Sequence, residues 1–438
     1  MVELMPETGQ KRSATEISGR KKEMKKLLAL VLMLCIVFTA MAAAHAEPIE
    51  VELWHYFDSS NDKDMINQWV DEYNALQDKI HINATYVSRQ ELMNQYAIGA
   101  ISGELPDIGM VDSPDMASFI SLGVFADITD KLNAWGELDN FFPGPLSSCM
   151  DAEGKLYGLP QNTNCLALGC NMDMLKAAGY DHMPKDLTEF KEMVAATSDA
   201  ANGVYGMAMC CIGTEEGTFQ LLPWLRSSVG GKGVNVDDLT AQSAVDGLGV
   251  LGDFIHNNYM SKEAVNWTQA DAWYAFCAGK AAMVECGTWH LAMTGDINGA
   301  FNYDFCLLPT GEEGTSTSTI GGENFGICTG CKDVDACVEF LEWMCSKEKE
   351  AEWAVGAGKI PVRSDSKAEY TYETKGFDVF VDEMNYAQAR GPHAEWPTIS
   401  EAIYTACQSV FVDNVAPADA LAKAMETIAP IVAENPLP

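Results

Sequence analysis

The sequence predicts an α/β fold with a largely parallel sheet. Ile49-Glu50-Val51-Glu52-Leu53 alternates apolar and polar residues, as a half-buried strand does. Met65, Ile66, Trp69, Val70, Tyr73 and Leu76 then recur at helical spacing within 62–76. Ile80, Ile82, Ala84 and Tyr86 alternate again, which completes a strand, helix and strand close to the size of a βαβ unit.

The next elements keep that rhythm. A helical stretch runs through 90–101 and is broken by Gly103-Glu104-Leu105-Pro106. Asp107-Ile108-Gly109-Met110-Val111 follows as a short buried strand. Ligands of such sheets bind beyond the carboxyl ends of the strands. That rule puts Asp58 and Asp112 where a site is expected. Further helices are expected at 188–196, 243–257, 271–282, 333–346 and 416–428. Two segments read as connectors, 151–160 and the Gly-, Ser- and Thr-rich 310–322. There is no internal repeat and no heptad array.

The 438 residues, 47% hydrophobic, allow two or three domains or one large two-lobed body. Lys and Arg number 28 against 63 Asp and Glu, a formal charge of −35. Such a surface repels phosphate backbones and anionic lipids, so nucleic-acid binding is disfavoured. An anionic substrate would need a local basic pocket.

Met24-Lys25-Lys26 precedes an unbroken apolar run, 27–38, and the segment ends in Ala44-His45-Ala46. This is the pattern of a secretory signal peptide with cleavage after Ala46. The start lies at Met1 or Met24. Removing residues 1–46 takes out seven basic and four acidic side chains, leaving 21 against 59 and a charge of −38. Fourteen cysteines less Cys35 leave thirteen, an odd number with no regular spacing. Cys165 and Cys170 sit in an apolar run, where cysteine acts as a small hydrophobe.

Gly247-Leu248-Gly249-Val250-Leu251-Gly252 matches the dinucleotide fingerprint, but it falls inside an expected helix instead of opening one. Cys328, Cys331, Cys337 and Cys345 invite a zinc reading, yet Cys337 and Cys345 share an apolar helical face with Phe340, Leu341 and Met344. No nucleophile elbow, paired-histidine zinc motif or P-loop occurs. Aromatic residues near expected turns include Trp54, Tyr56, Phe57, Phe219, Trp289 and Trp396. Flat rings with Asp, Asn and Ser in a cleft suit a neutral polyhydroxyl ligand, rings on the apolar sugar faces and polar groups on the hydroxyls.

Six motifs occur in a telling order. They are Gly103–Ile108 (G-E-L-P-D-I), Tyr157-Gly158-Leu159-Pro160 with Asn162 and Asn164, the run 168–179, Phe276-Cys277-Ala278-Gly279-Lys280-Ala281-Ala282-Met283 with Gly287-Thr288-Trp289, Gly321–Ile327, and Lys359-Ile360-Pro361-Val362. In that order the chain resembles the extracellular solute-binding proteins of ABC transporters, in the sugar-binding group. It departs from them at Cys170 and Met172, where the family has Tyr and Lys, and at Leu34, a poor lipobox residue before Cys35. Asp58-Ser59 also replaces a charged pair after the first strand.

The resemblance implies a two-lobed, type II periplasmic-binding-protein fold. Each lobe is a sheet flanked by helices and discontinuous in sequence, 47–160 with 321–359 and 161–320 with 360–438. Crossings are expected near Gln161, Ile320 and Ile360. It implies Tyr56, Asp58, Asp112 and Ser113 on the first lobe's face, Asn164 and Asn324 at the crossings, and Phe219, Trp289 and Trp396 as stacking rings of the second lobe. The implied function is hinged binding of a mono- or oligosaccharide and delivery to ABC permease subunits. That requires no catalysis, cofactor or metal, and implies a monomer exported to the periplasm or the outer cell surface. An exported carbohydrate hydrolase with paired carboxylates and a surface scaffold of the same fold are the rival readings.

Overall fold

A computed structural model describes residues 24, 26, 48–58, 60–151, 153–227, 236–366 and 374–435. The leader reading, with cleavage after Ala46, therefore lies outside the described residues apart from Met24 and Lys26. Two sheets build two lobes. In the first, β1 (Ile49–His55) runs parallel to β2 (Ile80–Tyr86) and to β3 (Ile108–Asp112). The helices Ser60–Leu76 and Arg89–Ser102 connect them. β4 (Gly158–Pro160) forms the far edge of this sheet.

The second lobe has β5 (Leu166–Asn171), β6 (Tyr205–Ala208), β7 (Ala281–Gly287) and β8 (Tyr303–Cys306), in the order β6-β7-β5-β8. β9 (Ser318–Ile320) then leads to β10 (Glu323–Ile327), which returns to the first sheet between β3 and β4. β11 (Ala387–Ala389) pairs in parallel with β9.

The sheets are mixed, not largely parallel. β10 is antiparallel to both β3 and β4, and β5 is antiparallel to β7 and β8. The strand that enters the first sheet last arrives from the second lobe, so it runs against its neighbours. The expected helix 271–282 is also shorter, Gln269–Cys277. Gly279, at φ 66°, ends it in the left-handed conformation, and Ala281 opens β7. All seven residues of β7 are buried, as a central strand requires.

Each lobe has its own aromatic core. Trp69 and Trp353 lie 4.8 Å apart in the first, beside Tyr73 and Phe340 at 4.9 Å. Trp353 and Phe340 come from the helices Lys347–Ala357 and Val334–Met344, far along the chain. In the second lobe Phe190 stacks on Trp224 at 5.4 Å. Around them pack the helices Gln242–His256, Trp396–Asp413 and Pro417–Glu434.

The third chain crossing was expected near Ile360. Ile360 does pair with Thr163, but the chain then stays with the first lobe: Phe142 donates to the Val362 carbonyl, and Ser364 to that of Asn140. Arg363 anchors it there through Glu137 and the Cys345 carbonyl. The helix Phe377–Glu383 is back against the second sheet, with Phe380 facing Phe305 at 6.0 Å.

The glycine motif at 247–252 lies wholly within the helix Gln242–His256. A Cβ on Gly247 would sit 1.8 Å from the Trp224 carbonyl oxygen, so this glycine serves close helix packing. The thirteen described cysteines are free thiols, ten of them buried. Cys331 and Cys337 meet at 3.3 Å sulfur to sulfur, but Cys345 is packed deeper in the first-lobe core and Cys328 in a separate cluster, so the four proposed zinc ligands do not gather at one point. Among the described residues no group of three or more His, Cys, Asp or Glu is placed to hold a metal.

Candidate ligand-binding site

Chain ends from both sheets converge on a cavity of about 190 Å³ between the lobes. Tyr56 and Asp58 leave the carboxyl end of β1, and Asp112 ends β3. Phe57, between them, is buried and packs 5.0 Å from Trp353, which fixes the direction of the loop. The Tyr56 hydroxyl is buried without a hydrogen-bond partner. Burial, then Asp112 and Glu323, push its pKa up, so it stays a phenol able to donate.

The second lobe answers with aromatic rings. Phe219 lies one turn into the helix Glu215–Leu225, and Trp289 follows the end of β7. Their centroids are 6.3 Å apart. The Trp289 ring folds back over Gly287, where a Cβ would stand 1.9 Å from it; only glycine fits there. Glu216 accepts from the Gln269 amide at 2.7 Å, and burial pushes its pKa up.

Three cations thread between these groups. Arg390 donates to Asp112 at 2.7 and 2.9 Å, pairs with Glu215, and lies 4.5 Å over the Phe219 ring. Arg89 binds Asp112 at 3.2 Å and Asp115 at 2.8 Å. Lys359 sits 3.6 Å from Glu323, 3.9 Å from Asp62 and 5.1 Å over Trp289. Burial alone would lower the Lys359 pKa, but Glu323 and Asp62 outweigh it and hold the ammonium above its ordinary value. Asn61 of the first lobe donates to the Ala292 carbonyl of the second at 3.1 Å. The lobes are closed on one another.

Six of the nine sequence-predicted residues border this cavity: Tyr56, Asp58, Asp112, Asn164, Phe219 and Trp289. Asn164 is fixed by reciprocal backbone bonds with Gly321 at 3.0 and 2.9 Å. Ser113 and Asn324 face elsewhere, onto a second cavity of about 1070 Å³. Their neighbours Asp112 and Glu323 border the first, because successive residues of an extended strand point to opposite sides. Asn324 is wholly buried and donates to Ser148 at 2.9 Å.

Trp396 is a correction. It is 0% exposed, in the second-lobe core with Ile399 and Ile403 of its own helix. Opening the helix Trp396–Asp413, it turns its ring inward with that helix's apolar face.

Sequence reasoning missed Asp62, Arg89, Glu216, Gln269, Glu323, Lys359 and Arg390, all on the cavity wall. Scarcity was an available signal: only four arginines follow residue 46, and two of them are here. The arrangement combines ring faces with charged and amide groups and suits a hydroxylated ligand held from both lobes.

Residues 68–377 match the family model described as bacterial extracellular solute-binding protein. The arabinooligosaccharide-binding protein of Bacillus subtilis is 24% identical over 384 residues, 82% of this chain and 86% of that protein. A maltooligosaccharide ABC transporter solute-binding lipoprotein of Streptococcus pneumoniae is 22% identical, covering 78% and 79%. Among solved structures, maltose-bound T. maritima MalE3 superposes with TM-score 0.76 at 21% identity, over 86% of this chain and 98% of that one. A Thermotoga lettingae ABC transporter solute-binding protein with bound α-D-tagatose gives 0.77 at 21%, over 88% and 100%. Among the described residues no helix is long and apolar enough to cross a membrane. The chain folds as these type II binding proteins do, is a binding protein and not an enzyme, and belongs to the bacterial extracellular solute-binding protein family.

Proposed function

We propose that this protein is the extracytoplasmic substrate-binding component of an ABC importer, taking a neutral mono- or oligosaccharide between its lobes and delivering it to the membrane permease. The observation that carries this reading is the interlobe cavity, with Trp289 and Phe219 on one wall and Tyr56, Asp58 and Asp112 on the other. Rings of this kind cover the apolar faces of a sugar, while carboxylates and Asn164 bond its hydroxyls. A ligand touching both lobes favours the closed state by its differential affinity, and the closed state is what a permease can recognise. Relatives named for arabinooligosaccharide and maltooligosaccharide support a carbohydrate. The charged, then apolar start ending at Ala46 supports export of a chain that begins at Glu47, which we take to act as a monomer.

A thermal-shift screen over sugars tests the binding reading, since a ligand bound only by the native state raises its stability. At least one neutral sugar should raise the melting temperature with saturable dependence. Release of products from oligosaccharides would instead support a hydrolase. N-terminal sequencing of the exported protein should begin at Glu47, and a lipid-modified Cys35 would overturn that part.

A further inference from the structure

We propose that the larger cavity is a second ligand site, for a small molecule bearing a carboxylate or phosphate group, held by the charge of Arg226. Arg226 caps the end of the helix Glu215–Leu225 and is 1% exposed. Its guanidinium donates to the carbonyls of Gln388 at 3.2 Å and Ala389 at 3.0 Å. Among the described residues no carboxylate pairs with it. The other three arginines after residue 46, Arg89, Arg363 and Arg390, each hold a carboxylate.

In so acidic a chain an arginine with no carboxylate partner among the described residues is informative. A buried charge is costly unless something compensates it, and two carbonyl dipoles compensate only in part. Burial and then the neighbouring Arg390 lower the Arg226 pKa to about 10, which leaves it charged at neutral pH. Asp151 is the one carboxylate among the described residues lining the cavity. It is already engaged, accepting from the Tyr157 hydroxyl and from the amides of Glu153 and Lys155. The remaining wall offers polar groups; the Asn162 side-chain oxygen, buried without a partner, is an acceptor and can bond only a donor on the ligand, not its anionic group.

The position of the cavity gives its occupant a consequence. Ser113 and Ser148 come from the first lobe, Arg226 and His393 from the second, and Gly322 and Arg390 border both this space and the sugar cleft. An anion seated there touches both lobes across the hinge. It shifts the open–closed balance, and so the affinity for sugar, by its differential affinity for the two states.

The test is calorimetric titration of the full exported chain with inorganic phosphate and with citrate, against chloride at matched ionic strength. Saturable binding of one or both is expected. A response to phosphate alone marks a phosphorylated ligand, and one to citrate alone a carboxylic acid. Arg226→Gln should weaken binding at least tenfold. Because Arg226 also ties down two carbonyls, Ala117→Trp gives an independent variant: it fills the cavity from the first lobe and should abolish binding without touching the guanidinium. If Arg226→Gln does not fold, Ala117→Trp decides. No saturable binding of either anion to the unmodified protein, or binding that survives the folded variants, overturns the proposal.

Discussion

Arg390 and Asp112 stand 278 positions apart in the chain and meet across the lobes through hydrogen bonds of 2.7 and 2.9 Å. Arg390 is shared with Glu215, and Asp112 with Arg89, so one partly buried chain of charges, with Arg390 at its centre, spans the cleft. Such pairs add little net stability, because desolvation offsets attraction, but stranding one partner is costly.

Arg390→Ala should therefore lower stability by about 3–5 kcal/mol, by leaving Glu215 without its cation and Asp112 with Arg89 alone. Combining it with Asp112→Asn should cost less than the sum of the single changes. Urea melts of the four proteins in a double-mutant cycle measure this coupling, and strict additivity would refute it.

Trp289 and Trp396 should behave in opposite ways. Trp289→Ala removes a cleft ring and should weaken binding of the cognate sugar about 30-fold or more, since losing a central aromatic anchor commonly costs about 2 kcal/mol or more. The melting temperature should change little. Trp396→Ala should cost roughly 3–5 kcal/mol of stability and leave the affinity of the folded fraction unchanged.

Glu383 makes stability depend on pH. It is fully buried, accepting from Ser316 and from the Leu308 amide. Burial pushes its pKa from 4.5 up to about 8, against those two bonds. The folded state thus holds a proton that the unfolded chain releases. The resulting stabilisation is complete below 4.5 and is lost as pH rises to about 8. Melting temperatures measured across that window should fall with pH, and Glu383→Gln should flatten the slope. An unchanged slope in the variant would show that Glu383 does not titrate in that range.

Gly247 and Gly249 separate packing from propensity. Gly247→Ala forces a methyl against the Trp224 carbonyl and should destabilise by about 1–3 kcal/mol or more. Gly249 has only Pro417 nearby, at 3.9 Å, so Gly249→Ala should be neutral or stabilise by about 0.5–1 kcal/mol. Denaturant midpoints of the two variants should move in different directions.

Local period was enough to read β1, β2, β3 and the helices Ser60–Leu76 and Arg89–Ser102 from the sequence. Each buries one face, and the spacing of Val51 and Leu53, or of Ile66, Trp69 and Tyr73, records which face. Trp289 was legible as well, because it follows a specific run, Phe276–Met283 and Gly287. What the sequence left undetermined depends on contacts between distant segments. β10 enters between β3 and β4 from beyond the second lobe, and its direction makes the sheet mixed. Trp396 and Trp289 look alike as isolated rings, and only the packing of the helix Trp396–Asp413 sends one into the core. Asp112, Lys359 and Arg390 border one cavity because tertiary folding gathers distant segments, with Arg390 reaching Asp112 from the second lobe, and charge pairing at that range is decided by tertiary position, not by local spacing.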